Sequence, residues 1–297
     1  MKIAVKLVDT TLRDGEQAPG LAFSLASRML LAEAMDKAGI FQLEVGCPAM
    51  GSREVESFKA IKSVCQRALV SAWNRVRVAD ARASLSSGAD LIHLCLPVSK
   101  SHLEKKLRLS WSSLSAELTR CLQLVRDGGV EVSVGLEDAS RATEEELNRA
   151  ADLLEANGVK LVRLSDTVGV LTPTRVRSLV SFLVKRGFLV EFHGHNDLGL
   201  AAANALVAAL AGAERLDVTL SGVGERVGNC ALANFVALTS DKLELGVTPL
   251  DALRLENLAR PLLDRQSYVQ SLLASPTPDI DYILAKFADP GRISIAC

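Results

Sequence analysis

The sequence predicts an α/β protein in which a (β/α)8 TIM barrel is followed by a short C-terminal helical extension. Eight short β-rich runs alternate with eight longer helical patterns over the first 245 residues. Such strict alternation is typical of parallel strands joined by helical crossovers. No glycine-rich fingerprint follows the first strand, which favours a closed barrel over an open doubly wound sheet. The length of 297 residues fits one barrel of about 250 residues with an appendage.

Each element has local support in the sequence. The predicted strands span residues 3–9, 41–46, 68–73, 91–96, 131–136, 161–165, 189–193 and 215–220. The predicted helices span residues 24–38, 53–66, 78–87, 113–127, 143–157, 172–185, 198–211 and 229–243. Thr143 stands three residues before Glu146, which is a capping-box pattern, and Pro173 stands at a first helical position. Glycines that suit left-handed helix ends follow five of these patterns, at Gly39, Gly88, Gly158, Gly187 and Gly212.

The pattern changes near residue 246, so we predict a catalytic barrel over 1–245 and a short helical extension over 246–297. Prolines interrupt the extension at Pro249, Pro261, Pro276, Pro278 and Pro290. We therefore expect short helical pieces there, such as 249–264 and 280–288, rather than a second core.

Composition excludes several classes of function. The chain has 34 basic and 35 acidic residues, a net charge of −1 and no long run of either sign, so it lacks the basic footprint of a nucleic-acid binder. No apolar stretch approaches the roughly 20 residues of a membrane span, and the N-terminus leads directly into a strand. The six cysteines form no CxxC pair, and we expect them to be reduced, with Cys47, Cys95 and Cys121 in the core. We predict a soluble cytoplasmic protein with no nucleic-acid or membrane partner.

Polar segments follow three of the predicted strands, on the face where barrels of this kind carry their sites. They are residues 9–17, 193–199 and 221–229. His193 and His195 are two residues apart at a strand end, so their side chains point to the same side. Asp14, from the loop after the first strand, is close enough in a barrel to join them. Two imidazoles and a carboxylate suit Mn, Fe, Co or Zn, and Mg is also compatible. The alternative is a hydrogen-bonded pair with a structural role.

Two long motifs connect the chain to a known family. Residues 12–17 (LRDGEQ) and 190–203, which include HGHNDLG, resemble the two signatures of the isopropylmalate, citramalate and homocitrate synthases, within the metallolyase barrel superfamily. Arg28 stands where the first signature usually has lysine. The resemblance covers residues 1–245, and residues 43–51, 96–99, 133–141 and 222–229 are similar to the homocitrate synthases associated with nitrogenase cofactor assembly.

This resemblance implies a metal-dependent condensation of acetyl-CoA with a 2-oxo acid. Asp14, His193 and His195 would bind the divalent metal, and Asn229 would contribute from the last loop. Arg13 would stabilise the alkoxide that forms from the 2-oxo group, because a guanidinium supplies positive charge where negative charge develops.

Further residues follow from the same resemblance. Thr167 would bind the carboxylate of the oxo acid, while Glu44 and Gln17 would line its pocket. A salt bridge between Arg13 and Glu44 is the structural alternative for this pair. The glycine-rich loop, with Gly222, Gly224 and Gly228, would contact CoA. A tight turn beside the metal is the alternative for that loop.

The chain departs from the family at two points. Ser133 stands where the lysine-pathway homocitrate synthases have a carboxylate-binding arginine, and Arg77 is a candidate replacement, with a solvated arginine at a helix start as the alternative. Condensing members also have a later region with a catalytic histidine, whereas residues 246–297 contain no histidine. His93 is expected within a buried strand and His102 at an exposed helix start, so neither suits that role. Glu137 then becomes the candidate base, unless a partner chain supplies one.

Three functions therefore remain open at this point. The first is an acyltransferase that joins acetyl-CoA to a 2-oxo acid, with 2-oxoglutarate ahead of pyruvate and oxaloacetate. The second is a metal-dependent aldolase or lyase that acts on a 2-oxo acid without CoA. The third is a barrel subunit that needs a partner chain. A homodimer is the expected assembly, and a catalytic thiol at Cys230 is a minor alternative.

Overall fold

The computed structural model describes residues 2–263, and eight parallel strands close into a barrel in its centre. Within the described residues there are ten strands: β1 (Ile3–Ala4), β2 (Lys6–Asp9), β3 (Gln42–Glu44), β4 (Leu69–Arg75), β5 (Leu91–Pro97), β6 (Glu131–Glu137), β7 (Leu161–Asp166), β8 (Leu189–Gly194), β9 (Arg215–Val218) and β10 (Leu243–Glu244). The helices are α1 (Leu25–Ala38), α2 (Ser52–Val64), α3 (Val78–Ser87), α4 (Trp111–Asp127), α5 (Glu144–Ala156), α6 (Pro173–Lys185), α7 (Ala201–Leu210), α8 (Leu232–Thr239) and α9 (Pro249–Leu263).

The barrel follows the order of the chain. Strands β2 to β9 pair with their sequence neighbours, and β2 closes the ring by pairing with β9, where Val8 is opposite Asp217. The helices α1 to α8 lie between and after these strands in sequence, as crossovers between parallel strands require. The predicted TIM barrel is confirmed.

The first predicted strand, 3–9, is two strands in the structure. Residues Ile3–Ala4 pair with Leu243–Glu244 outside the barrel, and only Lys6–Asp9 enter the ring. The change of partner occurs at Val5, whose N–H donates to the carbonyl of Glu244, while the N–H of Lys6 donates to the carbonyl of Glu214. The short sheet β1–β10 thereby ties the start of the chain to the segment that follows the barrel.

Local capping patterns explain several helix limits. The side chain of Thr143 accepts a hydrogen bond from the N–H of Glu146, and the Glu146 carboxylate accepts one from the N–H of Thr143, which completes the capping box. Pro173 occupies the first turn of α6. The strands are buried on both faces, with apolar side chains such as Leu94 and Val162 fully enclosed, as expected of a parallel sheet covered by helices.

The extension begins with α9, which packs against α1 and α8. The predicted helix over 249–264 is confirmed as Pro249–Leu263, whereas the predicted helix over 280–288 lies outside the described residues. The domain limit at residue 245 stays a prediction. None of the helices in residues 2–263 is long and apolar enough to cross a membrane.

Candidate active site at the carboxyl ends of the strands

A cavity opens at the carboxyl ends of the barrel strands, on the face where the sequence predicts a site. Its lining combines the candidate metal ligands with other polar side chains and a few apolar ones. The lining residues are Arg13, Asp14, Trp73, His93, Cys95, Glu137, Arg163, Ser165, Thr167, His193 and His195.

Asp14, His193 and His195 form a compact group of potential metal ligands. One ligand atom from each lies within 4.8 Å of the others, and all three side chains are buried. The Nε2 atoms of the two histidines are 3.3 Å apart, and Oδ2 of Asp14 lies 3.4 Å from the first and 3.9 Å from the second. His193 is the penultimate residue of strand β8 and Asp14 follows strand β2, so the barrel brings distant parts of the sequence together.

Neighbouring groups fix the orientation of His193 and Asp14. Nδ1 of His193 lies 2.9 Å from Oδ2 of Asp217, a residue of the adjacent strand β9. The other carboxylate oxygen of Asp14 accepts a hydrogen bond of 2.8 Å from Nδ2 of Asn229 and one of 3.1 Å from the N–H of Glu225. Carboxylate and amide partners of this kind typically orient metal ligands.

Burial and charged neighbours shift the pKa values of all three residues in the group. Although burial works against the charged form, Arg13 and the two histidines hold the pKa of Asp14 well below its usual range. Burial likewise opposes protonation of His193, but hydrogen bonds to Asp14 and Asp217 raise its pKa to about 9. Burial lowers the pKa of His195 to about 4, so this imidazole is neutral and able to coordinate.

The residues present fit a divalent metal. Two imidazole nitrogens and one carboxylate oxygen converge, and Oδ1 of Asn229 is a buried oxygen without a hydrogen-bond partner among residues 2–263. This mixture of nitrogen and oxygen donors suits Mn, Fe, Co or Zn, and the carboxylate with the amide oxygen is also compatible with Mg.

Arg13 is fixed by two carboxylates beside the metal-ligand group. Its Nε donates to Oε1 of Glu44 at 2.6 Å, and its Nη1 donates to Oδ2 of Asp14 at 3.0 Å. The other oxygen of Glu44 accepts a hydrogen bond of 2.7 Å from Arg163. Glu44 is fully buried behind the cavity lining and forms the ion pair with Arg13 that was one of the two interpretations of the sequence.

A series of charged side chains continues from Glu44 into the barrel. Arg163 contacts Glu191, and its Nε lies 3.4 Å from Oδ2 of Asp217, which also contacts His193. The residues Arg163, Glu191 and Asp217 are not among the site residues predicted from the sequence. The sequence feature that could have identified them is a charged residue within an otherwise apolar strand. A charged side chain in a buried strand requires an oppositely charged partner in the interior.

Thr167 and Ser133 occupy different positions relative to the cavity. Thr167 lines it, and its Oγ1 accepts a hydrogen bond of 2.8 Å from the N–H of Asp138. Ser133 lies deeper, with its Oγ 2.8 Å from Nδ1 of His93, and it is His93 that reaches the lining. Burial and the nearby Arg163 hold the pKa of His93 well below its usual range, so the ring is neutral.

Glu137 ends strand β6 and lines the cavity. Burial raises its pKa to about 7. The expectation of an exposed position for His102 is wrong: its side chain is 3% exposed and faces Glu137. His102 lies on a π-helical segment, Ser101–Lys106, where its ring turns inward while the following Glu104 stays at the surface.

Besides Glu44, two further candidate substrate residues lie outside the lining. Gln17 is half-buried at the end of the 3-10 turn Gly15–Gln17. Arg77 is exposed at the residue before α3. Their roles as substrate-binding residues stay predictions.

The glycine-rich loop after β9 forms a tight turn against the metal-ligand group. Gly222 and Gly228 have left-handed φ angles of 69° and 94°. A Cβ at Gly224 would lie 2.0 Å from Nδ2 of Asn229 and 2.6 Å from Oδ1 of Asp14, so only glycine allows this approach. The loop therefore has a structural reason for its glycines, and a contact with CoA stays a prediction.

The five cysteines in the part of the chain that the structure describes are free thiols. Burial raises the pKa of Cys230 to about 12, which makes this thiol a poor nucleophile. Cys121 and Cys95 are buried as predicted, and Cys95 also lines the cavity, whereas Cys47 is only half-buried.

The chain is similar to several known proteins. The HMGL-like family model matches residues 4–259. The chain belongs to the HMGL-like family. It is 41% identical over 233 residues to homocitrate synthase 1 of Nostoc sp., covering 78% of this chain and 62% of that protein. It is 36% identical over 249 residues to homocitrate synthase subunit alpha of Clostridium pasteurianum, covering 82% of this chain and 93% of that one.

The identities to these two proteins confirm the resemblance to the homocitrate synthases. A solved hydroxymethylglutaryl-CoA lyase from Pseudomonas aeruginosa has a TM-score of 0.78 and 19% identity, covering 91% of this chain and 99% of that chain, and at this identity the likeness concerns the fold. Since the relatives with higher identity are synthases, the comparisons do not favour the aldolase or lyase alternative. The chain spans slightly less than two thirds of the Nostoc relative.

Proposed function

We propose that the protein is an acyltransferase that condenses acetyl-CoA with a 2-oxo acid in a metal-dependent reaction, with 2-oxoglutarate as the first candidate acceptor. One observation carries the proposal. The three ligands Asp14, His193 and His195 line the same cavity as a fixed guanidinium, Arg13, and a buried carboxyl, Glu137. This combination provides a cation site, a positive charge and a base around one reacting centre.

Asp14, His193 and His195 would hold the divalent ion, with Asn229 next to them. A bound ion of this type polarises the ketone of an oxo acid and orients its oxygens. The identity of the metal, among Mn, Mg, Zn, Co and Fe, is open.

Arg13 is the residue that stabilises the developing alkoxide. Its two carboxylate partners, Glu44 and Asp14, hold the guanidinium before substrate arrives, so little reorganisation accompanies the reaction. Thr167, which also lines the cavity, would bind the carboxylate of the oxo acid.

Glu137 is the base that removes a proton from the acetyl methyl group. Burial raises the pKa of this carboxyl to about 7, which makes it a stronger base than a solvated carboxylate while it remains largely ionised above neutral pH. It stands on β6, and Arg13 follows β2, so the base and the alkoxide-stabilising group approach the cavity from different strands.

The remaining roles follow the family resemblance. Gln17, Glu44 and Arg77 would support acceptor binding, and the loop with Gly222, Gly224 and Gly228 would contact CoA. The protein would act in the cytoplasm as a homodimer or with a partner chain. The name of the Clostridium relative, a subunit alpha that this chain matches over 93% of its length, supports the partner-chain form.

Two measurements on the metal-loaded protein test the proposal. A thermal-shift series with 2-oxoglutarate, pyruvate and oxaloacetate identifies the acceptor, because a ligand that binds the native state raises the Tm. Release of free thiol from acetyl-CoA in the presence of that acid reports condensation. Stabilisation by a 2-oxo acid without thiol release would favour an activity that does not use CoA. Thiol release that appears only after a partner chain is added would show that this chain is a subunit.

A further inference from the structure

A second buried titratable side chain, His102, stands directly behind the proposed base. Its Nε2 lies 3.4 Å from Oε1 of Glu137, and the side chains are 3% and 7% exposed. This oxygen of Glu137 is buried and accepts no well-aligned hydrogen bond from any described residue. Catalytic hydrogen bonds are often long before substrate binds and shorten afterwards.

The side chain of Ser99 links the two segments that carry this pair. The N–H of His102 donates to Oγ of Ser99 at 3.1 Å, and the Ser99 hydroxyl donates to Asp138, the residue after Glu137. Asp138 accepts two hydrogen bonds of 2.8 Å from Arg141. The segment with the imidazole and the strand end with the carboxylate are thus joined through one serine.

We propose that His102 is a positioning residue for Glu137, whose carboxylate it orients by donating a hydrogen bond from Nε2. This inference rests on the proposed role of Glu137 as the base. The neutral imidazole of His102 holds the Glu137 carboxylate in one rotamer that points toward the cavity. The carboxylate is therefore already oriented toward the acetyl methyl group when the substrate binds.

The charge of the imidazole matters for this role. Burial lowers the pKa of His102 to about 4, so the ring is neutral when Glu137 works. A protonated imidazole would stabilise the carboxylate strongly and weaken it as a base. The other groups that act on Glu137 are Lys106 and the Cys95 thiol, which favour its ionised form, and Asp138 and Glu225, which oppose it.

The first test measures the titration of Glu137 directly and does not depend on activity. Carbon-13 NMR of glutamate-labelled protein gives its pKa, and the resonance is assigned by its loss in Glu137→Gln. With a non-reacting 2-oxo acid analogue bound, replacing the donor by His102→Phe should raise the pKa of Glu137 by about one unit, because the ionised form loses a hydrogen bond. His102→Gln, which retains an N–H donor, should keep the wild-type value. An equal pKa in wild type, the phenylalanine variant and the glutamine variant would overturn the inference.

The second test measures exchange of the acetyl methyl protons into deuterated water, with a non-reacting 2-oxo acid analogue in the site. His102→Phe should lower the exchange rate about tenfold or more, and His102→Gln should recover most of it, with metal content and analogue affinity unchanged. Lys105→Ala, an exposed neighbour on the same segment, is the matched control. Equal losses in the phenylalanine and glutamine variants would indicate a packing role and overturn the inference. If the wild-type protein shows no exchange, the proposed role of Glu137 as the base is overturned. The NMR titration would then still decide whether His102 donates a hydrogen bond to Glu137.

Discussion

The carboxylate of Glu256 accepts two hydrogen bonds from Ser221, one from its hydroxyl and one of 2.8 Å from its backbone N–H. Ser221 has a left-handed φ of 54°, a conformation that costs a non-glycine residue free energy and needs such support. Glu256 lies on α9, beyond the barrel, and Ser221 begins the loop that contains Gly224 and Asn229. The helix of the extension therefore helps to position the residues around Asp14.

Removing this contact should weaken the metal site from a distance. In Glu256→Ala the loop loses both hydrogen bonds, so we expect the free energy of unfolding to fall by about 1–3 kcal/mol and the Kd for Mn to rise about tenfold. Chemical denaturation and metal titration measure the two effects. Glu244→Ala, at an exposed position on β10, is the control. Unchanged metal affinity in Glu256→Ala would show that the loop holds its shape without α9.

The sequence predicts the barrel well because its signals are local. Strand and helix patterns, caps and glycine stops each depend on neighbouring residues, and their limits fall within a few residues of those observed. Residues 3–9 differ because the exchange of partners at Val5 involves Glu214 and Glu244, which lie more than 200 residues away. Nothing local distinguishes a strand with one partner from a strand that changes partners.

In the site as well, features carried by short motifs are predicted from the sequence, and contacts between distant residues are not. His193, His195 and Asp14 are visible in short motifs, whereas the contact between Glu44 and Arg163 spans 119 residues. The exposed position predicted for His102 is wrong because the neighbouring charged residues Glu104, Lys105 and Lys106 indicate a solvated turn. The segment Ser101–Lys106 has only six residues, which are too few for a hydrophobic pattern to show which side is buried.

The metal site gives a direct prediction. Purified protein should bind one divalent ion per chain, and His193→Ala or His195→Ala should each raise the metal Kd about tenfold or more, since a ligand is lost. Elemental analysis after dialysis measures the occupancy. Cys230→Ala, a neighbour of Asn229 with no ligand role, should bind metal as wild type does. Full occupancy in the double alanine variant would contradict the assignment of the ligands.

The variant Arg13→Lys should show whether catalysis needs only the positive charge of Arg13 or also the directions of its hydrogen bonds. Nε and Nη1 of the arginine bind Glu44 and Asp14, and a single ammonium cannot reproduce both directions while it faces the cavity. We expect kcat/KM for condensation to fall about a hundredfold or more, with folding retained because the positive charge remains and Arg163 still pairs with Glu44. Steady-state kinetics and thermal unfolding measure the two effects. An unchanged kcat/KM would show that Arg13 has only a structural role.

Glu137→Gln should increase stability, and the increase should depend on pH. Burial raises the pKa of Glu137 from 4.5 to about 7 in the folded protein, so folding favours the protonated carboxyl. The contribution of this group to the free energy of unfolding is complete below about pH 4.5 and is lost as the pH rises through 7, because the ionised carboxylate is more stable in the unfolded chain.

Glutamine does not ionise, so the Glu137→Gln variant does not lose stability in this way. The difference in the free energy of unfolding between variant and wild type should therefore grow by about 3 kcal/mol from pH 5 to pH 8.5, in metal-free protein. Urea denaturation at the two pH values measures it, with Glu244→Gln as the exposed control. A difference that does not change with pH would place the pKa of Glu137 near its ordinary value, and the argument for a carboxylate tuned to accept a proton at neutral pH would fail.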